Sequence, residues 1–168
     1  DGYDFDLSVT VGKGCHNVIN ALYIGAVKTA DEIRTALGLE PAMCFKPLKE
    51  AFIRAFYRES AGLFADSAES DHCAIHSNIF PLFYDLVHPA ARENIVRLIR
   101  GKRFACGVYI AFFLLKGLAR VGEYELIYEL LTSEEQHSWA NMLREGATAC
   151  FEAWGKELKW NTSLCHPW

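Results

Sequence analysis

Near its end the chain reads REGATACFEAWGKELKWNTSLCHPW, Arg144 to Trp168, and this stretch holds the residue types best suited to chemistry. Glu152 is framed by Phe151 and Trp154, and a carboxylate among aromatic rings is placed to accept a proton from water. At helical spacing Glu152 also stands four residues before Lys156, and an exposed i, i+4 pair of that kind contributes only about 0.3–0.5 kcal/mol. Spacing alone leaves both readings open. Four tryptophans, Trp139, Trp154, Trp160 and Trp168, share this end of the chain with Asn161, Ser163 and His166. Tryptophans pack cores, and their flat faces beside amide and imidazole groups also suit a sugar. A pyranose offers an apolar CH face and a rim of hydroxyls. Trp139 is the second candidate of this kind.

The histidines raise the question of a metal. His72 and His76 are four apart with Cys73 between them, and Cys165 and His166 could add ligands from the other end. A zinc site would show tighter spacing and a carboxylate behind each imidazole, so no metal is expected. His72 is expected instead to make a polar contact to a hydroxylated ligand near the start of a helix, where backbone donors are free. The chain has no GxSxG, P-loop, GxGxxG or HExxH pattern, which removes the common nucleophilic, nucleotide-binding and zinc-protease chemistries. No cofactor is expected.

Helices must position these residues, because apolar side chains recur at helical spacing almost throughout. Val18, Leu22, Ala26, Ala30, Ile33 and Leu37 predict one long helix from Cys15 to Leu37, stopped by Gly38. Pro47 suits the first turn of a second helix, with Leu48, Ala51, Phe52, Ala55 and Phe56 inward and an end near Arg58. Glu59 to His72 reads as an ordered loop. A third helix is expected from Cys73 to Val87, and Pro89 opens a fourth with Ile95, Leu98 and Ile99 buried. Ala105 to Val121 is apolar nearly all round, as expected of a helix buried on several faces, and Gly122 ends it. Tyr124 to Leu131 makes a short helix, Ser133 with Glu135 and Gln136 suggests a capped start of another turn, and Arg144 to Leu158 is the predicted last helix. No strand is predicted. The fold class is all-α, a two-layer ring of antiparallel hairpins, and residues 1–168 are expected to form one unit.

Composition sets the outer limits. Apolar residues make up 51% of the 168, and charged residues 23%, which places the chain among folded globular proteins. The net charge is -4, and the 17 basic residues are scattered apart from Arg97, Arg100, Lys102 and Arg103, so there is no footprint for nucleic acid. The apolar run from Ala105 to Leu115 is well short of the ~20 residues of a membrane span. The six cysteines show no CxxC pairing, which favours buried thiols in a reducing compartment.

SWANMLREGATACFEAWGKELKWNTSLCHPW, Ser138 to Trp168, resembles the stretch of bacterial alpha-L-rhamnosidases that reads SW, then GATT, then a Glu in an aromatic frame, then SLNH. GCHNVINALYIGAVKTADEIRTALG, FADSAESDHCAIHSN and CGVYIAFFLLKGLARVGEYELIYELL resemble earlier hairpins of the same catalytic domain. The resemblance implies part of a six-hairpin, (α/α)6-type glycosidase domain that removes terminal alpha-L-rhamnosyl residues from oligosaccharides or glycosides with inversion. It implies Glu152 as the general base and His166 as a substrate contact, with a second carboxylate ~6.5–9.5 Å away as the acid. Cys165 stands where the family has Asn, and the acidic motif that carries the family's acid is not found; Asp1, Asp4 and Asp6 lie in the wrong segment. The expectation is therefore a C-terminal part of the ring, with little turnover alone and with apolar edges that favour a homodimer. A glycosidase of the same fold acting on another sugar, and a non-catalytic carbohydrate-binding or assembly module, are the competing readings.

Overall fold

A computed structural model of the chain describes residues 15–167. They pack as two compact units, one ending at Ile95 and the other beginning at Val96.

The first unit is built on α1 (Asn17–Ala36), which packs against both α2 (Phe45–Phe56) and α3 (His76–Tyr84). As predicted, α1 stops at Gly38, whose φ of +70° a side chain would resist. Its inner face is not the predicted one. Asn17, Val18, Ala21, Ile24 and Gly25 are buried, whereas Leu22, Ile33 and Leu37 are exposed. The reason is a close approach: a Cβ on Gly25 would lie 2.1 Å from the Tyr84 ring, so α3 can dock only on the side of α1 that carries small residues.

Contrary to expectation, the loop after α2 holds two strands, β1 (Tyr57–Arg58) and β2 (Leu63–Phe64), paired antiparallel with Tyr57 opposite Phe64. Two residues each are too few for alternation to register. Phe64 joins Phe52 and Phe56 in an aromatic core, in which the Phe52 ring centroid lies 5.7 Å from that of Phe64 and 4.8 Å from that of Phe56. Ala65, Asp66 and Ser67 of this loop are buried, so their backbone groups need partners within the protein. Asn78 supplies three bonds: its Oδ1 accepts from Phe64 N, and its Nδ2 donates to Phe64 O and Ala74 O. The Arg58 guanidinium gathers the carbonyls of Ala55, Ser67, Ala68 and Ser70.

Helix α3 is shorter than the predicted span. Asp66 takes the Ala74 amide before the helix begins, and Asp85 ends it in the left-handed conformation at φ 60°. Pro81 lies inside α3 and has no N–H to offer the carbonyl of Ser77. Asn17 repairs the deficit, its Nδ2 donating to Ser77 O at 3.1 Å and to Ala65 O at 2.9 Å. After a 3-10 turn at Pro89–Ala91 comes α4 (Arg92–Lys102), with Ile95 and Ile99 buried as predicted and Leu98 only half-buried.

The second unit contains the hairpin of α5 (Val108–Arg120) and α6 (Tyr124–Leu131), then α7 (Trp139–Arg144). Helix α5 is less enclosed than expected, since Tyr109 and Phe112 are exposed. Ser133 does not cap the next helix. Its Oγ accepts from Glu135 N in a local turn, and Ser138 is the cap, its Oγ accepting from Asn141 N at 3.1 Å.

The predicted last helix is absent. Helix α7 ends where it should have begun, closed by Gly146 at φ +85° and by Ala147 N donating to Met142 O, and residues 145–167 are turns and bends. Side chains take over the work of helical bonds. The Glu145 carboxylate accepts from Asn141 Nδ2 and Lys156 N, and Asn141 Nδ2 also donates to Trp154 O. Trp154 is fully buried, stacks on Phe104 at 4.9 Å, meets Trp139 edge-on at 5.1 Å, and donates from Nε1 to Cys106 O at 2.6 Å. Fixing one large indole core in this way lets an irregular segment pack as tightly as a helix would.

Candidate functional site

Two backbone bonds lay the segment around Glu152 beside the chain's end: Glu152 N donates to Ser163 O at 2.9 Å, and His166 N donates to Cys150 O at 2.8 Å. The side chains alternate across this segment. Phe151 and Ala153 are buried, while the Glu152 side chain between them keeps 24% of its surface exposed. The Lys156 partner that helical spacing offered is not used, because without a helix the i, i+4 relation has no geometric meaning. Lys159 Nζ donates to Glu152 Oε1 instead, and Ser163 N donates to Oε2 at 3.2 Å. The bond from Lys159, followed by that from Ser163, holds the Glu152 carboxyl below the usual carboxylate range. Partial burial opposes this, and the charges of Lys159 and His166 add to the lowering.

The same two backbone bonds lay the segments that carry Glu152 and His166 side by side. Trp139 lies in the same unit, at the first position of α7, half-buried against Phe104 and Trp154. With Tyr109, Phe112, Phe113, Leu131 and Cys150 it lines an open cavity of about 720 Å³. Glu152 does not line that cavity, but Cys150, two residues before it, does. Such a volume falls in the range that holds small molecules, and its walls offer mainly aromatic faces.

His72 belongs to the other unit. Its Nδ1 is 2.6 Å from Asp66 Oδ2, with the His72 side chain 41% exposed and that of Asp66 only 2%. Asp66 also accepts from Ser77 Oγ at 2.6 Å, so a buried carboxylate with fixed partners orients the imidazole. His76, the first residue of α3, is fully enclosed. Among the described residues no three His, Cys, Asp or Glu side chains gather as a metal site would require, and no helix is long and apolar enough to cross a membrane.

Lys159 and Asp66 are the residues that sequence reasoning missed. Lys159 is seven residues from Glu152, a separation that carries no pairing signal in a helix, and Asp66 is one of several acids in a polar loop. The GATACFE string itself was the available signal for the site.

The family described as the bacterial alpha-L-rhamnosidase 6 hairpin glycosidase domain matches residues 7–168. Among solved structures, the chain is similar in fold to the alpha-L-rhamnosidase of Streptomyces avermitilis, a structure complexed with L-rhamnose. The TM-score is 0.71 and the identity 22%, over 88% of this chain and 15% of that one. The chain therefore spans less than a fifth of that relative's length. No curated protein sequence matches. The likeness in fold agrees with the all-α reading made from hairpin periodicity, and the family match extends over the same strings that carried the resemblance. The chain belongs to the bacterial alpha-L-rhamnosidase six-hairpin glycosidase domain family.

Proposed function

We propose that this chain is part of a glycoside hydrolase catalytic domain that removes terminal alpha-L-rhamnosyl residues with inversion, and that Glu152 is its general base. The observation that carries the reading is the state of Glu152 within a family-matched segment. Its carboxylate is partly exposed, fixed at both oxygens by hydrogen-bond donors, and kept ionised by Lys159, as a base that takes a proton from water at neutral pH must be. His166, tied to Cys150 beside it, is the nearby substrate contact, and Trp139 offers an aromatic face on the cavity wall. For His72, whose ring is oriented by Asp66, the proposed role is a polar contact to a hydroxylated ligand.

Inversion requires a second carboxylate, in its acid form, across the sugar from the base. The acidic motif that carries the family's acid is not found in this sequence, and on that ground the isolated chain is expected to turn over slowly or not at all. The test is hydrolysis of p-nitrophenyl alpha-L-rhamnopyranoside by the full-length protein, wild type against Glu152→Gln. The expected result is a loss of ~100-fold or more in kcat with KM retained, the signature of a group that acts in the transition state. An active protein indifferent to the substitution would remove Glu152 from the mechanism.

A further inference from the structure

Glu152 is held by a single short turn. Lys159 Nζ binds one carboxylate oxygen and Ser163 N the other, while Ser163 O accepts from the Glu152 amide. The turn between those two residues is itself closed: Thr162 N donates to Lys159 O at 3.2 Å and Thr162 Oγ1 to the same oxygen at 2.7 Å. The closed turn fixes the Ser163 amide relative to the Lys159 backbone, so both donors reach the carboxylate from one small structural unit. The Lys159 side chain is 35% exposed and makes no other hydrogen bond or ion pair that competes for its ammonium among the described residues. We propose that Lys159 is a positioning residue for the hydrolytic base, aiming one lobe of Glu152 at the attacking water. The inference rests on the reading of Glu152 as the base.

The physical argument is one of geometry and charge. A base must present a lone pair along the line of proton transfer, and misplacement by about 1 Å costs on the order of 100-fold in rate. A glutamate side chain left free would spread over several rotamers, whereas an ammonium on one oxygen and an amide on the other select one. The two ionisable groups that bear on Glu152 are Lys159 and His166. The contact to Lys159 is the direct one, so removing that ammonium raises the carboxyl's pKa, and the acid limb of the rate profile, where the base becomes protonated, moves to higher pH.

The experiment compares wild type, Lys159→Met, Lys159→Arg and Glu152→Gln in the full-length protein, following kcat and KM for p-nitrophenyl alpha-L-rhamnopyranoside from pH 4 to 8. Methionine keeps the length of the stem without the charge. Lys159→Met is expected to lower kcat ~10- to 100-fold with KM within about twofold and to move the acid limb upward, and arginine to restore both in large part. A Lys159→Met profile that superimposes on wild type while Glu152→Gln is inactive overturns the role of Lys159 and leaves the base standing. A fully active Glu152→Gln protein removes both. Carbon-13 NMR of the Glu152 carboxyl gives a readout independent of turnover: its titration midpoint must rise in Lys159→Met, and an unchanged midpoint overturns the inference even in a protein with no measurable activity.

Discussion

Trp154 shows how much one side chain can settle. Its ring fills the space between Phe104 and Trp139, and its Nε1 proton answers the Cys106 carbonyl, a buried acceptor far away in sequence. The surroundings are dry enough that burial pushes the Cys106 thiol up to about 12. In such a place an unanswered carbonyl is costly. Trp154→Phe keeps an aromatic ring but removes the donor and part of the volume, and it is expected to destabilise the chain by about 2–4 kcal/mol, read as a lower urea midpoint. Because Trp154 lies two residues beyond Glu152, the same change should loosen the segment that carries the carboxylate. The Glu152 and Ser163 amides are then expected to exchange with solvent faster in Trp154→Phe than in wild type. If the midpoint is unchanged, the indole is packing filler and the bond to Cys106 contributes nothing.

At the scale of elements, α3 depends on a residue of α1. Pro81 leaves Ser77 O without a helical partner, and the side-chain amide of Asn17 serves that carbonyl and Ala65 O together. Asn17→Ala strands two buried acceptors at once, for an expected loss of about 2–4 kcal/mol, measured by urea unfolding followed by circular dichroism. Pro81→Ala in the Asn17→Ala background returns a helical donor to Ser77 and should recover part of that loss. No recovery would mean that the two residues are not coupled. Elements of this kind were legible where periodicity and punctuation agreed. The bounds of α6 at Tyr124 and Leu131 are those read from the sequence, and Pro47 and Gly38 mark the start of α2 and the stop of α1 as expected. Legibility failed where tertiary contacts decided. The inner face of α1 follows the approach of Tyr84 to Gly25, which no apolar pattern encodes. Phe151 and Trp154 have helical spacing by coincidence, because the bonds that fix their segment come from Glu145 and Asn141 side chains. The site was legible in the same uneven way. Glu152 and His166 are proposed from the family strings, whereas the pairing with Lys159 could not be seen while the segment was read as a helix.

For the molecule as a whole, the apolar surface argues for association. In the unit that carries Glu152, the exposed large apolar residues include Tyr109 and Phe112 on α5, Tyr124, Tyr128 and Leu131 on α6, and Leu143 on α7. Tyr109, Phe112 and Leu131 also line the 720 Å³ cavity, so exposure and concavity coincide on one surface. Scattered apolar side chains are ordinary on soluble proteins, but a contiguous aromatic group around a depression is what protein and ligand interfaces use. A net charge of -4 gives weak repulsion between copies at physiological ionic strength. The isolated chain is therefore expected to self-associate, with a mass by light scattering that rises above 18.9 kDa as concentration increases from the low micromolar range. Placing charges on that surface, as in the double variant Phe112→Lys and Leu131→Lys, should return the mass to that of one chain without loss of helical signal. Wild type that stays at 18.9 kDa at every concentration would show that these aromatics are tolerated by water, and the cavity would then be open to a small ligand rather than covered by a second copy.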